Sequence, residues 1–135
     1  MIAPTSCIGR YDNGQFFGSV LTPRPPRSFW EQRVWHAVLH HFDHDGAYVR
    51  TDLWSAGPQG WSDRKGMRLA SEMLDRWVAA LPGLVYRDIA IQLFEVEIGE
   101  FRFGLVDESD EDGEHVELYP NNLGFYPPWD GWYDT

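Results

Sequence analysis

Only one stretch of this chain keeps a helical period, and it lies between two groups of strand-like segments. Met67, Ala70, Leu74, Trp77, Val78 and Leu81 recur at three- and four-residue steps, which puts them on one stripe of a helix. Arg68, Glu72, Asp75 and Arg76 fall outside that stripe, and Pro82-Gly83 follows it. Proline cannot continue the ladder and glycine accepts left-handed backbone, so the pattern predicts a helix over residues 63–81 that stops there. An apolar stripe has to be covered by other parts of the chain, and the flanking segments read as strands. The predicted class is therefore α+β, an antiparallel sheet built from hairpins with one long amphipathic helix packed on one face.

The strands follow from local patterning. Residues 8–11 and 15–21 flank Asp12-Asn13-Gly14, a sequence that tolerates positive φ and predicts a tight hairpin. Residues 34–42 are apolar, aromatic or imidazole-bearing on both faces: Val34, His36, Val38, His40 and Phe42 on one, Trp35, Ala37, Leu39 and His41 on the other. Such a segment suits a central strand covered on two sides. Asp43-His44-Asp45-Gly46 turns the chain, and residues 47–54 return as its partner. Residues 89–98 and 101–106 form a second predicted hairpin around Gly99-Glu100. Its apolar positions slip phase from Ile89, Ile91 and Leu93 to Phe94, Val96 and Ile98, which predicts a β-bulge near Leu93. A short strand over 115–119 and an irregular aromatic segment over 120–135 complete a single predicted domain, 1–135, large enough to carry its own core.

Charge narrows the partners. The net charge is −10, and it is uneven. Residues 1–87 hold eight carboxylates and ten basic residues, a net of about +2; residues 88–135 hold thirteen carboxylates and only Arg102, a net of −12. A surface of that sign repels phosphate backbones and anionic lipid headgroups and attracts cationic proteins or metal ions. The expected partner is a basic protein, with neither nucleic acid nor membrane. The lone Cys7 and an N-terminus without a basic start or apolar h-region predict a reducing, cytoplasmic setting. No apolar run approaches the roughly 20 residues a bilayer span needs.

Several residue groups bear on possible chemistry. The densest group of metal-ligand types is His40-His41-Phe42-Asp43-His44-Asp45-Gly46, but neighbouring residues on a strand point to opposite faces, and Gly46 stands too close to Asp43 for a calcium loop. No metal, cofactor or catalytic residue is assigned. Cys7 lacks an electropositive setting that would make it a nucleophile. Glu95, Glu97 and Glu117 carry no acid–base signal of their own in so acidic a chain. The loop after residue 106 gathers Asp107, Glu108, Asp110, Glu111, Asp112 and Glu114, a charge run able to steer a basic partner. Trp129, Trp132 and Tyr133, held among prolines, are residue types that anchor interfaces.

The chain also resembles a known group. Ile8-Gly9-Arg10-Tyr11 with Gly14-Gln15-Phe16-Phe17, Leu39-His40-His41-Phe42-Asp43 with Asp45-Gly46, and Tyr86-Arg87-Asp88-Ile89-Ala90-Ile91 carry the likeness. So do Glu117-Leu118-Tyr119-Pro120, Leu123-Gly124-Phe125 and, most specifically, Pro128-Trp129-Asp130-Gly131 with Tyr133-Asp134-Thr135. Over nearly its whole length it resembles small actinobacterial proteins labelled formate hydrogenlyase regulatory protein, and more loosely it is similar to small acidic immunity proteins that neutralise bacterial toxins. Both resemblances imply a regulatory or inhibitory protein rather than an enzyme. The expected function is a non-enzymatic, acidic protein-binding module. The alternatives are a small metal-dependent enzyme using the turn between His40 and Asp45, and a nucleic-acid-binding transcriptional regulator.

Overall fold

The computed structural model describes residues 6–21, 35–55, 64–98, 101–107, 109, 111, 113, 116–119, 123–125 and 132–134. The chain is mixed α+β. Strands β1 (Ser6–Tyr11), β2 (Gly14–Leu21), β3 (His36–Phe42), β4 (Tyr48–Ser55) and β5 (Val85–Tyr86) form one antiparallel sheet in the order β4-β3-β2-β1-β5. Helix α1 (Arg64–Ala79) connects β4 to β5. Four strands, β7 (Phe94–Ile98), β8 (Phe101–Asp107), β9 (Val116–Tyr119) and β10 (Leu123–Phe125), make a second antiparallel sheet in chain order. A two-stranded ladder pairs β6 (Ala90–Gln92) with β11 (Trp132–Asp134).

Strand alternation decides which layer each residue meets. Phe16 and Val20 on β2 and Ala37 and Leu39 on β3 pack against Ala70, Leu74 and Val78 of α1. These helix residues lie on the stripe that the periodicity marks, and burying one leucine of this kind contributes about 2–5 kcal/mol by comparison with alanine. The other sheet face carries Phe17, Leu21, Val38 and Phe42, which pack against Ile89, Ile91, Phe94, Phe103 and Leu105. Every residue of β3 is buried. The strand is covered by the helix on one side and the second sheet on the other, so its side chains are apolar or internally bonded throughout.

Three sequence expectations change. The second hairpin does not contain one bulged strand over 89–98: the chain breaks at Leu93, and β6 and β7 pair with different partners, β11 and β8. The phase slip is therefore a change of sheet, which turns the apolar residues on each side of Leu93 toward one core without a shared ladder. The bulge lies elsewhere. The β3–β4 register shifts between His41 and Phe42, leaving Val49 as the extra residue, 55% exposed. Finally, the segment 120–135 is not irregular throughout: β10 pairs back on the preceding strand β9, and β11 pairs with the distant β6. Gly99-Glu100 lies outside the described residues.

Candidate functional site

The two adjacent histidines of β3 belong to a polar interior that also holds Gln15, Ser19 and His36. Alternation sends His41 toward the helix side of the sheet and His40 toward the second sheet, and both are buried. Each finds a partner on β4, where His40 lies opposite Thr51 and His41 opposite Arg50.

On the helix side, Tyr11, His41 and Asp52 form a hydrogen-bonded chain across β1, β3 and β4. His41 Nε2 lies 2.8 Å from Asp52 Oδ2, and the Tyr11 hydroxyl lies 3.0 Å from His41 Nδ1. A carboxylate only accepts, so Nε2–H donates to Asp52 and the tyrosine hydroxyl donates to the unprotonated Nδ1. Arg50 Nε stands 3.7 Å from the other Asp52 oxygen. Burial lowers the His41 pKa and outweighs the opposing effect of its bond to Asp52. Burial likewise raises the Tyr11 phenol above its ordinary value. Both shifts favour the neutral forms, so the chain works as a cross-strand tie rather than as a source of tyrosinate.

On the other side, His40 Nδ1 meets Thr51 Oγ1 at 2.8 Å, and Thr51 Oγ1 meets the Tyr48 hydroxyl at 2.8 Å. The Val49 bulge makes this possible. With strict alternation Tyr48 would share a face with Arg50 and Asp52; the extra residue turns it onto the face of Thr51. Phe17, Phe42, Phe94 and Phe103 surround the imidazole at centroid distances of 6.3, 6.5, 5.0 and 5.8 Å.

The turn after His41 uses its polar groups locally. Asp43 Oδ1 accepts the N–H groups of Asp45 and Ala47, both at 2.9 Å, and His44 Nε2 donates to the Asp12 carbonyl at 2.9 Å. His40, His41, Asp43 and His44 thus aim at four separate targets. Among the described residues no three His, Cys, Asp or Glu side chains converge in a way that would hold a metal ion. Cys7 is half-buried, and burial pushes its thiol above the ordinary value. A thiol in that state is a poor nucleophile.

Five described acidic residues, Glu95, Glu97, Asp107, Glu111 and Glu117, lie on or beside the second sheet. Glu95 and Glu97 are exposed on β7, alternating with Phe94, Val96 and Ile98, which pack inward. Across the ladder Arg102 forms an ion pair with Glu95 and sits 4.5 Å over the Tyr119 ring. It offsets one acidic charge on that face. Asp107, at the end of β8, is exposed and accepts the Ser109 N–H at 2.9 Å; Glu111 is exposed in the loop beyond. Register puts Glu117 of β9 opposite Val106 of β8. Of the other expected contact residues, Glu108, Asp110, Asp112, Glu114 and Trp129 lie outside the described residues, and Trp132 and Tyr133 belong to β11 with their backbones opposite Gln92 and Ile91.

Local sequence pattern does not reveal the tie between Tyr11, His41 and Asp52. Its one visible signal is that His41 falls on the Leu39 face of β3; the partners depend on strand order and on the β3–β4 register. No family model, no curated protein and no solved structure matches this chain.

Proposed function

We propose that the protein acts by binding a basic protein, as a non-enzymatic regulator or immunity-type inhibitor, with the second sheet and its acidic loop as the contact surface. One observation supports this reading above the others: Glu95, Glu97, Asp107 and Glu111 are all exposed on this sheet or the loop that extends it. His40, His41 and Asp43, by contrast, are committed to bonds within the fold. Clustered carboxylates accelerate encounter with a cationic surface and reject anionic ones. Trp132 and Tyr133 of β11, with Trp129, serve as the aromatic anchors in this reading.

The exposed positions of α1 mix Arg64, Lys65, Arg68 and Arg76 with Glu72 and Asp75, which is not the one-signed stripe that nucleic acid selects. A gel shift at low salt that retains DNA or RNA would turn the reading toward a transcriptional regulator.

The test is affinity capture from the lysate of the native host with the purified protein as bait. A basic protein should be retained and its binding should weaken about tenfold between about 0.05 and about 0.3 M salt. A variant combining Asp110→Asn, Glu111→Asn and Asp112→Asn should lose most of that salt sensitivity. Full retention by the variant, or capture indifferent to salt, would refute the acidic contact surface.

A further inference from the structure

Two adjacent buried imidazoles of β3, His40 and His41, differ in their provision for a positive charge. His41 has the Asp52 carboxylate 2.8 Å from Nε2, so a proton gained there meets an anion. The polar contact of His40 is a hydroxyl, Thr51 Oγ1, and the imidazole sits between the two sheets within a cage of four phenylalanines. Two of those rings, Phe94 and Phe103, belong to the second sheet. They are held against the first sheet by apolar packing that an unpaired buried cation opposes.

We propose that His40 makes the seam between the two sheets acid-labile, so that mild acid loosens β7 and β8 from β3 while the helix-backed side of the sheet stays packed.

No carboxylate of the surrounding described elements faces His40. On β3 the adjacent titratable group is His41, on the opposite face, and His36 is buried four residues away on the same face as His40. On β4 the Tyr48 phenol reaches His40 only through Thr51, and Arg50 and Asp52 lie on the His41 side. On β2 the facing group is the Phe17 ring. On β7 and β8 the facing groups are Phe94 and Phe103, while Glu95, Glu97 and Arg102 alternate with the inward-packed residues. Desolvation, with the adjacent His41 as a smaller cause, pushes the imidazole down to about 3. The closed seam therefore holds His40 neutral. An open seam lets it titrate near its ordinary value of 6.5, so proton uptake favours opening throughout the interval between.

Native-state hydrogen exchange followed by NMR from about pH 7 to about pH 4, corrected for intrinsic exchange chemistry, tests this. The opening constants of the Phe94, Phe103 and Leu105 amides should rise by up to about tenfold per pH unit below 6.5, with a smaller rise for Leu74 and Val78 of α1. In His40→Leu the seam amides should lose that dependence; a slope equal to the unmodified protein's would overturn the proposal. Should His40→Leu not fold, the imidazole signal of the unmodified protein decides. Titration near 6.5 while the seam amides remain protected overturns it, and an imidazole that stays neutral until those amides open supports it.

Discussion

The side-chain amide of Gln15 pairs with the backbone of Ala90 as a neighbouring strand would. Gln15 Oε1 accepts the Ala90 N–H at 2.8 Å and Gln15 Nε2 donates to the Ala90 carbonyl at 3.0 Å. The same nitrogen lies 3.2 Å from the Asp43 carbonyl. Gln15 is fully buried, so these bonds lie where water cannot replace them. They tie β2 to the start of β6 and to the β3–β4 turn. Gln92 extends the join, donating its backbone N–H to the Gly46 carbonyl at 2.9 Å.

Replacing Gln15 should accordingly cost more than an average polar substitution. Gln15→Leu keeps the bulk but removes both partners of Ala90, and should destabilise the protein by about 3 kcal/mol. Gln15→Glu should cost at least as much, because a carboxylate accepts from the Ala90 N–H but cannot donate to the carbonyls. Urea unfolding midpoints at neutral pH measure both. A loss of less than about 0.5 kcal/mol for Gln15→Leu would show that the join does not hold β6 in place.

The bond pattern around His41 specifies its tautomer. Asp52 accepts at Nε2 and Tyr11 donates at Nδ1, so the neutral ring should carry its proton on Nε2, visible in long-range nitrogen–proton NMR correlations at pH 7. Tyr11→Phe should cost about 1 kcal/mol. Asp52→Asn, oriented with its carbonyl toward Nε2, should cost less than Asp52→Ala, which leaves the donor without its acceptor. An Nδ1–H tautomer would contradict this assignment.

At the alkaline end, Cys7 and Tyr11 set a limit. Burial raises both groups above their ordinary values of 9.0 and 10.0. The folded protein therefore keeps protons that the unfolded chain has released, and stability falls as pH rises above about 9. Cys7→Ala should flatten the first part of that decline in thermal melts between about pH 8.5 and about pH 10. An unchanged decline would assign it to other groups.

Gly18 leaves no room for a side chain between the sheet and the helix. A Cβ there would lie 2.9 Å from both Cys7 Sγ and Leu74 Cδ1. Gly18→Ala should cost about 1–3 kcal/mol through overpacking. Combining it with Cys7→Ala removes one of the two crowded atoms and should recover part of that loss, giving a coupling above about 0.5 kcal/mol in a double-mutant cycle.

Much of the architecture is legible in local pattern. The stripe Met67, Ala70, Leu74, Trp77, Val78 and Leu81 marks the helix, and the two-faced composition of residues 34–42 marks the central strand. The Asp12-Asn13 turn places the first hairpin. Each follows from a period of 3.6 or 2 residues, or from turn chemistry, and those are properties of neighbouring residues. The candidate contact surface is legible only in part: composition puts the acids toward the C-terminal end, while their grouping on and beside the second sheet depends on the pairing of β7, β8 and β9.

The sequence by itself determined a helix-covered antiparallel sheet, the two faces of β3 and the charge imbalance between the chain's two parts. Tertiary structure decided that Tyr11 meets a histidine thirty residues away, that Val49 bulges so that Tyr48 can reach Thr51, and that the chain changes sheets at Leu93. Periodicity says which way a side chain points. What it meets depends on strand order and register, and these are set by long-range packing that no short window of residues contains.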